Sequence, residues 1–326
     1  MQHSAQFTTG FGLVFVAVLI WGAQLPIAKG IFPFMDGYAM TLVRYGIAVA
    51  IFCVVLWRTE GTAAFRYEGR GALTWFTGAV GMGASATLVF IGLELTRPEI
   101  AVIILALQPA MTALAEWVAH GRRPPRFTLV CLVFAFLGVV IAVTRGGSGL
   151  GALLSSKPQE LLGDALVLLG SIAWVAYTML TQRLTGWSAL RLTTLTGIPA
   201  MVAITLAWAV AAALGASRLP DADALTGAGW RLVYVSAIGV ALAMFLWNGG
   251  SRHIGSLNAI LLLNLMPVVT FGVRALEGAQ FSWPEVAGAA MVMAALVANN
   301  LLMRRQFARA RAATATANAS PGTPVN

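Results

Sequence analysis

Apolar residues run in ten long stretches, at 11–31, 37–57, 72–93, 98–119, 127–144, 162–182, 192–214, 231–250, 256–276 and 284–303, with polar residues gathered in the short gaps between them. Each stretch comes close to the roughly 17 to 25 residues that a helix needs to cross a bilayer. Together they occupy about two thirds of the 326 residues, and no gap between them could hold a soluble domain of ordinary size. The pattern predicts an all-α membrane protein with ten transmembrane helices. The first stretch follows a segment without basic residues, and Trp21-Gly22-Ala23-Gln24-Leu25-Pro26 is a poor cleavage site. It is expected to be a retained helix, not a removed signal peptide.

Composition sharpens this reading. Apolar residues make up 59% of the chain and charged residues 10%, against roughly 25% charged in soluble proteins, which excludes a large soluble globular protein. The net charge of +9 raises the question of nucleic acid. The basic residues are scattered through short loops and the tail, with no stripe on a soluble module, so they are read as topogenic and no nucleic-acid partner is expected. Cys53 and Cys131 both fall within apolar spans and read as small packing residues, with no disulfide framework, metal site or cofactor implied.

Ten spans place both termini on one side. Thirteen arginines lie on that side, and seven lysines or arginines on the other, with Arg44 inside a span. The positive-inside rule then puts both ends in the cytoplasm of a multi-pass inner (plasma) membrane protein. Five spans precede the segment 146–160 and five follow it, so the halves must face opposite ways, and the bias of basic residues weakens and reverses between them. The fold expected is two inverted five-helix repeats, 1–145 and 161–305, joined by the loop 146–160 and followed by a disordered cytoplasmic tail, 306–326. The fourth helices read Leu105-Ala106-Leu107-Gln108-Pro109 and Leu263-Asn264-Leu265-Met266-Pro267, and Trp21 and Trp174 occupy the first helix of each half. Prolines interrupting paired helices are the best sequence pointer to a transporter site, although ordinary kinks would look the same. Pro109 and Pro267 are accordingly candidate gating or helix-breaking residues.

Trp21-Gly22 with Lys29, Arg44, Phe90-Ile91-Gly92-Leu93, Pro109 and Gly138-Val139-Val140, followed by Trp174-Val175-Ala176-Tyr177, Leu246-Trp247-Asn248, Ile254-Gly255 and the motif ending at Pro267, resemble the EamA-type domains of the drug/metabolite transporter superfamily. The resemblance covers roughly residues 10–305. It implies a ten-helix exporter with a central cavity lined by the first, third and fourth helices of each half. It further implies small metabolites as cargo, commonly amino acids or related compounds, with drugs and purines carried by other branches. One departure is plain. Where family members often carry a Gly-Glu pair, this chain reads His120-Gly121-Arg122-Arg123 and Glu277-Gly278-Ala279.

Depth along each span, at ~1.5 Å per residue, puts Trp21, Gln24, Gln108, Trp174, Tyr177 and Asn264 near mid-membrane. Their polar groups need partners there, which either a polar cavity or helix-to-helix hydrogen bonds would supply. Arg44 lies ~10 Å into its span. Snorkelling, or pairing with Asp36 or a backbone carbonyl, would hold it; facing a cavity, its planar fork suits a substrate carboxylate. These seven residues are the candidate substrate site. Lys29 reads as an interface anchor. No carboxylate falls at mid-membrane, so facilitated transport or exchange is favoured, with Glu116 the candidate for any proton coupling. A membrane enzyme would need convergent acids, a metal cluster or an activated nucleophile, and a channel a filter of carbonyls or charged rings. Scattered polar groups in a two-fold repeat suit a carrier of small molecules, acting as a monomer in the bilayer.

Overall fold

The computed structural model describes residues 2–121, 123–144, 157–254 and 262–319. Among them every regular element is helical. In the first half α1 is Gln2–Lys29, α2 Gly37–Glu60, α3 Gly71–Phe76 continued by a π-helical segment Thr77–Gly83 and by Ala84–Leu95, α4 Pro98–Leu105 and Gln108–His120, and α5 Arg126–Val143. In the second half α6 is Pro158–Thr181 and α7 Ala189–Ala213. Then α8 is Ala222–Val233 with a π-helical Tyr234–Leu242 and Ala243–Ile254, α9 Leu265–Leu276, and α10 Trp283–Ala319. Among the described residues, eight of these helices are long and apolar enough to cross a membrane, and the apolar helical stretches Leu265–Leu276 and Trp283–Asn299 stand in the ninth and tenth places.

Local chemistry fixes several ends. The Asp36 carboxylate accepts from the N–H groups of Tyr38 and Ala39, both at 2.9 Å, and so caps α2. Ser188 does the same for α7 through Arg191 N–H. In α8 the chain turns at Gly229 (φ 48°), a left-handed conformation that glycine adopts without strain, and the apolar span predicted from 231 begins just beyond it.

The two halves interlock as inverted copies. The first helix of each half packs on the third of the other, α1 on α8 and α6 on α3, and α5 packs on α10. Paired glycines let these backbones touch. A Cβ on Gly163 would lie 2.7 Å from Gly92 O, one on Gly250 2.7 Å from Gly10 O, and Gly138 faces Gly288 in the same way. Large apolar side chains such as Phe136 and Leu206 stay exposed, as lipid-facing surfaces must.

The fourth helix is interrupted at Ala106-Leu107, beside the candidate helix-breaker Pro109, which has no N–H for Leu105 O and opens a new helical piece. One expectation changes. The tail expected to be disordered continues α10 to Ala319, its alanines being strong helix formers. Residues 320–326, and most of the inter-repeat loop, lie outside the described residues.

Candidate functional site

On α1, Trp21 and Gln24 are one turn apart and face the π-helical segment of α8. Trp21 Nε1 donates to Gly239 O at 2.9 Å, and a Cβ on Gly239 would lie 3.0 Å from the Gln24 amide. A π-helical turn frees backbone groups from the ordinary ladder, and here a carbonyl receives an indole. The Gln24 amide is satisfied with its nitrogen toward Gly239 O and its oxygen toward Arg44 Nη1, each at 3.3 Å.

Arg44 itself is 6% exposed. Its guanidinium carbon lies 3.9 Å from the centre of the Phe90 ring and 5.3 Å from that of Tyr45. Asp36, considered as its partner, instead caps α2 and accepts from Ser217. Among the described residues no carboxylate pairs with Arg44, and its Nε has no hydrogen-bond partner. A buried cation held by ring faces, the Tyr45 hydroxyl and one amide is a site short of an anion.

The second half repeats this arrangement with other side chains. Gly163, Trp174 and Tyr177 recur on α6 at the spacing of Gly10, Trp21 and Gln24 on α1, and Gly81 and Gly92 on α3 at the spacing of Gly239 and Gly250 on α8. As Gly239 faces Gln24, Gly81 faces Tyr177, where a Cβ would lie 2.7 Å from Tyr177 Cβ. Trp174 stacks on Tyr177 with ring centres 4.9 Å apart. Thr196 stands as far beyond the cap Ser188 as Arg44 stands beyond the cap Asp36. Its hydroxyl lies 3.3 Å from Tyr177 Oη, as Arg44 lies beside Gln24. Five of the seven candidates, Trp21, Gln24, Arg44, Trp174 and Tyr177, are thus gathered into two matching half-sites that meet at Tyr45, which touches Arg44 and shares an apolar cluster with Tyr177.

Gln108 and Asn264 sit at the helix breaks. Gln108 is half-buried and opens the second piece of α4; among the described residues no hydrogen bond joins it to either half-site. Asn264 is 7% exposed with its Nδ2 unpartnered. Beside it α9 is pinned to α1, Thr270 Oγ1 donating to Gly22 O at 2.6 Å. The side chains of Pro109 and Glu116 lie outside the described set.

Sequence reasoning missed an ionic network at the end of the bundle away from the amino terminus. Glu99, fully buried, takes Arg274 Nε at 2.8 Å and Arg97 Nε at 3.7 Å; Arg97 also pairs with the buried Glu285, and Arg274 with Glu277 at 2.6 Å. These bonds tie α4 to α9 and α10. Lys29, expected as an interface anchor, is a cap here. Its ammonium donates to the carbonyls of Leu93, Glu94 and Thr96 at 2.6–2.8 Å and closes the end of α3. At the same end a cleft of about 440 Å³ opens between the Phe32–Asp36 turn and the Gly215–Asp221 loop. At the other end Arg191 and Trp187 hold Glu68, bolting the loop after α2 to the loop after α6. Among the described residues no three His, Cys, Asp or Glu side chains gather as metal ligands.

Residues 8–144 and 161–301 each match the EamA-like transporter family. Two relatives are the uncharacterized transporters YrdR and YyaM of Bacillus subtilis (strain 168). YrdR is 26% identical over 89% of this chain and 91% of its own length, YyaM 25% identical over 83% and 87%. One solved crystal structure aligns over 92% of this chain and 99% of its own with a TM-score of 0.61 at 18% identity, a likeness of fold.

Proposed function

The chain belongs to the EamA-like transporter family and is a multi-pass membrane transporter, and we propose that it exports small carboxylate-bearing metabolites, amino acids or related compounds, by alternating access. The observation that carries this reading is Arg44, a buried guanidinium with an unpartnered Nε and, among the described residues, no carboxylate paired with it. A substrate carboxylate supplies the missing partner, and the planar fork binds it in a fixed orientation. Trp21, Gln24, Trp174 and Tyr177 flank the rest of the molecule, and the unpartnered amide of Asn264, at the break before α9, is a further candidate contact.

Both termini are cytoplasmic by the distribution of basic residues, which makes the ionic network of Glu99, Arg97, Arg274 and Glu285 the outer closure of an inner-membrane protein. In this state the outer end is laced shut. Opening it requires parting α4 from α9, the two helices broken near their prolines, and such breaks supply the hinges. The buried carboxylates of that closure are held by arginines, so no proton relay is invoked and the transport is facilitated diffusion or exchange by a monomer.

The test is counterflow of labelled amino acids into proteoliposomes, with and without an imposed pH gradient, for wild type, Arg44→Ala and Gln108→Ala. Saturable uptake lost in Arg44→Ala and indifferent to the gradient is expected. Gradient-driven accumulation sinks the facilitator reading, and uptake unaffected by Arg44→Ala sinks the site.

A further inference from the structure

An inverted repeat brings matching positions of its two halves to the repeat interface near mid-membrane from opposite sides. The pairs here are unlike in a particular way. Gln24 and Arg44 form an amide-plus-cation pair, and their counterparts Tyr177 and Thr196 form a pair of hydroxyls 3.3 Å apart, with no charge. Thr196 has no exposed surface, and its hydroxyl also reaches the carbonyl of Leu192 at 2.8 Å.

From this asymmetry we infer that Thr196 is a specificity-determining residue: the site accepts one carboxylate, at Arg44, and requires the opposite end of the substrate to be uncharged and able to hydrogen-bond to the Tyr177–Thr196 hydroxyls. The inference deepens the proposed transport site and rests on it. A second carboxylate reaching the Tyr177–Thr196 pair meets two hydroxyls and the Trp174 face, none of them cationic. Four of the described cations near the two ends are engaged elsewhere: Lys29 on three carbonyls, Arg97 and Arg274 on carboxylates, Arg191 on Glu68. Such a carboxylate is buried without a counter-ion, which is strongly unfavourable, whereas the N–H of an amide or the O–H of a hydroxyl finds acceptor oxygens there, the Thr196 proton being held by Leu192 O.

The experiment uses the full-length protein in detergent and reads quenching of tryptophan emission, since Trp21 and Trp174 stand in the two half-sites. Its probes are two isosteric pairs, glutamine with glutamate and succinamate with succinate. Each singly carboxylated member is expected to bind about tenfold tighter or more than its dicarboxylate. Thr196→Arg, which gives the second half the cation of the first, brings each ratio to parity or inverts it, and Arg44→Gln abolishes binding of all four. Equal binding within the pairs by wild type overturns the inference, as does a folded Thr196→Arg protein that keeps the wild-type ratio. If that variant does not fold, Thr196→Val decides: the preference for glutamine over norvaline must fall several-fold, and an unchanged preference overturns the inference. Discrimination between succinamate and succinate without any binding of glutamine removes amino acids as the substrate and leaves the inference standing. Binding of all four probes alike does the reverse.

Discussion

Replacing Arg274 by methionine removes the nearer of the two arginines on Glu99 and leaves a fully buried carboxylate behind. What remains is Arg97, 3.7 Å from the other oxygen and shared with Glu285. Removing one partner of a buried ion pair costs about 3–5 kcal/mol. Here the second arginine stays and Arg274 is itself 26% exposed on its side chain, so the loss falls to ~2 kcal/mol, roughly thirtyfold in an equilibrium. Glu99→Gln combined with Arg274→Met removes the stranded charge along with its partner and frees Arg97 for Glu285. The double variant is expected to recover about 1 kcal/mol relative to the sum of the single losses. Equilibrium unfolding of the four proteins in mixed micelles measures that coupling directly. A coupling energy within about 0.3 kcal/mol of zero would mean that these side chains stand together without holding α4 to α9, and whatever holds that end of the bundle together would have to be sought elsewhere.

Other outcomes follow from the packing. Gly163→Ala and Gly250→Ala push a methyl into backbone oxygen at 2.7 Å and are expected to cost about 1–3 kcal/mol each, whereas Gly12→Ala, which meets nothing within 4 Å, is expected to be neutral or stabilising in the same unfolding measurement. Trp21→Phe keeps the ring beside Trp247 but loses the donation to Gly239 O, so stability is expected to drop by about 1 kcal/mol, read by the same method. Glu68 is held below its ordinary value of 4.5 by hydrogen bonds from Trp187 and Arg191. Because the folded value is the lower one, the clasp contributes fully above the ordinary carboxylate range and is lost as pH falls through the depressed value. Trp187 emission should therefore change only below about pH 4.5 and lose that step in Glu68→Gln.

The ten apolar stretches carried the fold into the sequence almost undisguised, since a bilayer demands long apolar runs and leaves charge nowhere to go but the loops. Arg44 stood out for the same reason. Its surroundings did not, because Phe90, Tyr45 and Thr196 are ordinary membrane residues whose importance comes from which helix crosses which. The spacing of Gly10 to Trp21 repeated at Gly163 to Trp174, and of Gly81 to Gly92 repeated at Gly239 to Gly250, was present in the letters and would have located both half-sites. Glu99 and Glu285 stand at the starts of their helices, where nothing in the sequence marks them as buried, and only the meeting of three helix ends buries them. Lys29 misled similarly, since a lysine at a helix end snorkels unless a neighbouring helix offers it carbonyls.

The most direct measurement is the reactivity of a cysteine at Gln24, in a background with Cys53 and Cys131 replaced by serine, toward a membrane-impermeant thiol reagent added from each side of sealed vesicles. Gln24 is 7% exposed and touches both Arg44 and Gly239. Reaction from either side, slowed by a bound carboxylate, is what a single alternately exposed site between the two half-sites produces. Reaction from one side only, or from neither, would make this cluster a structural core and move the transport path elsewhere in the bundle.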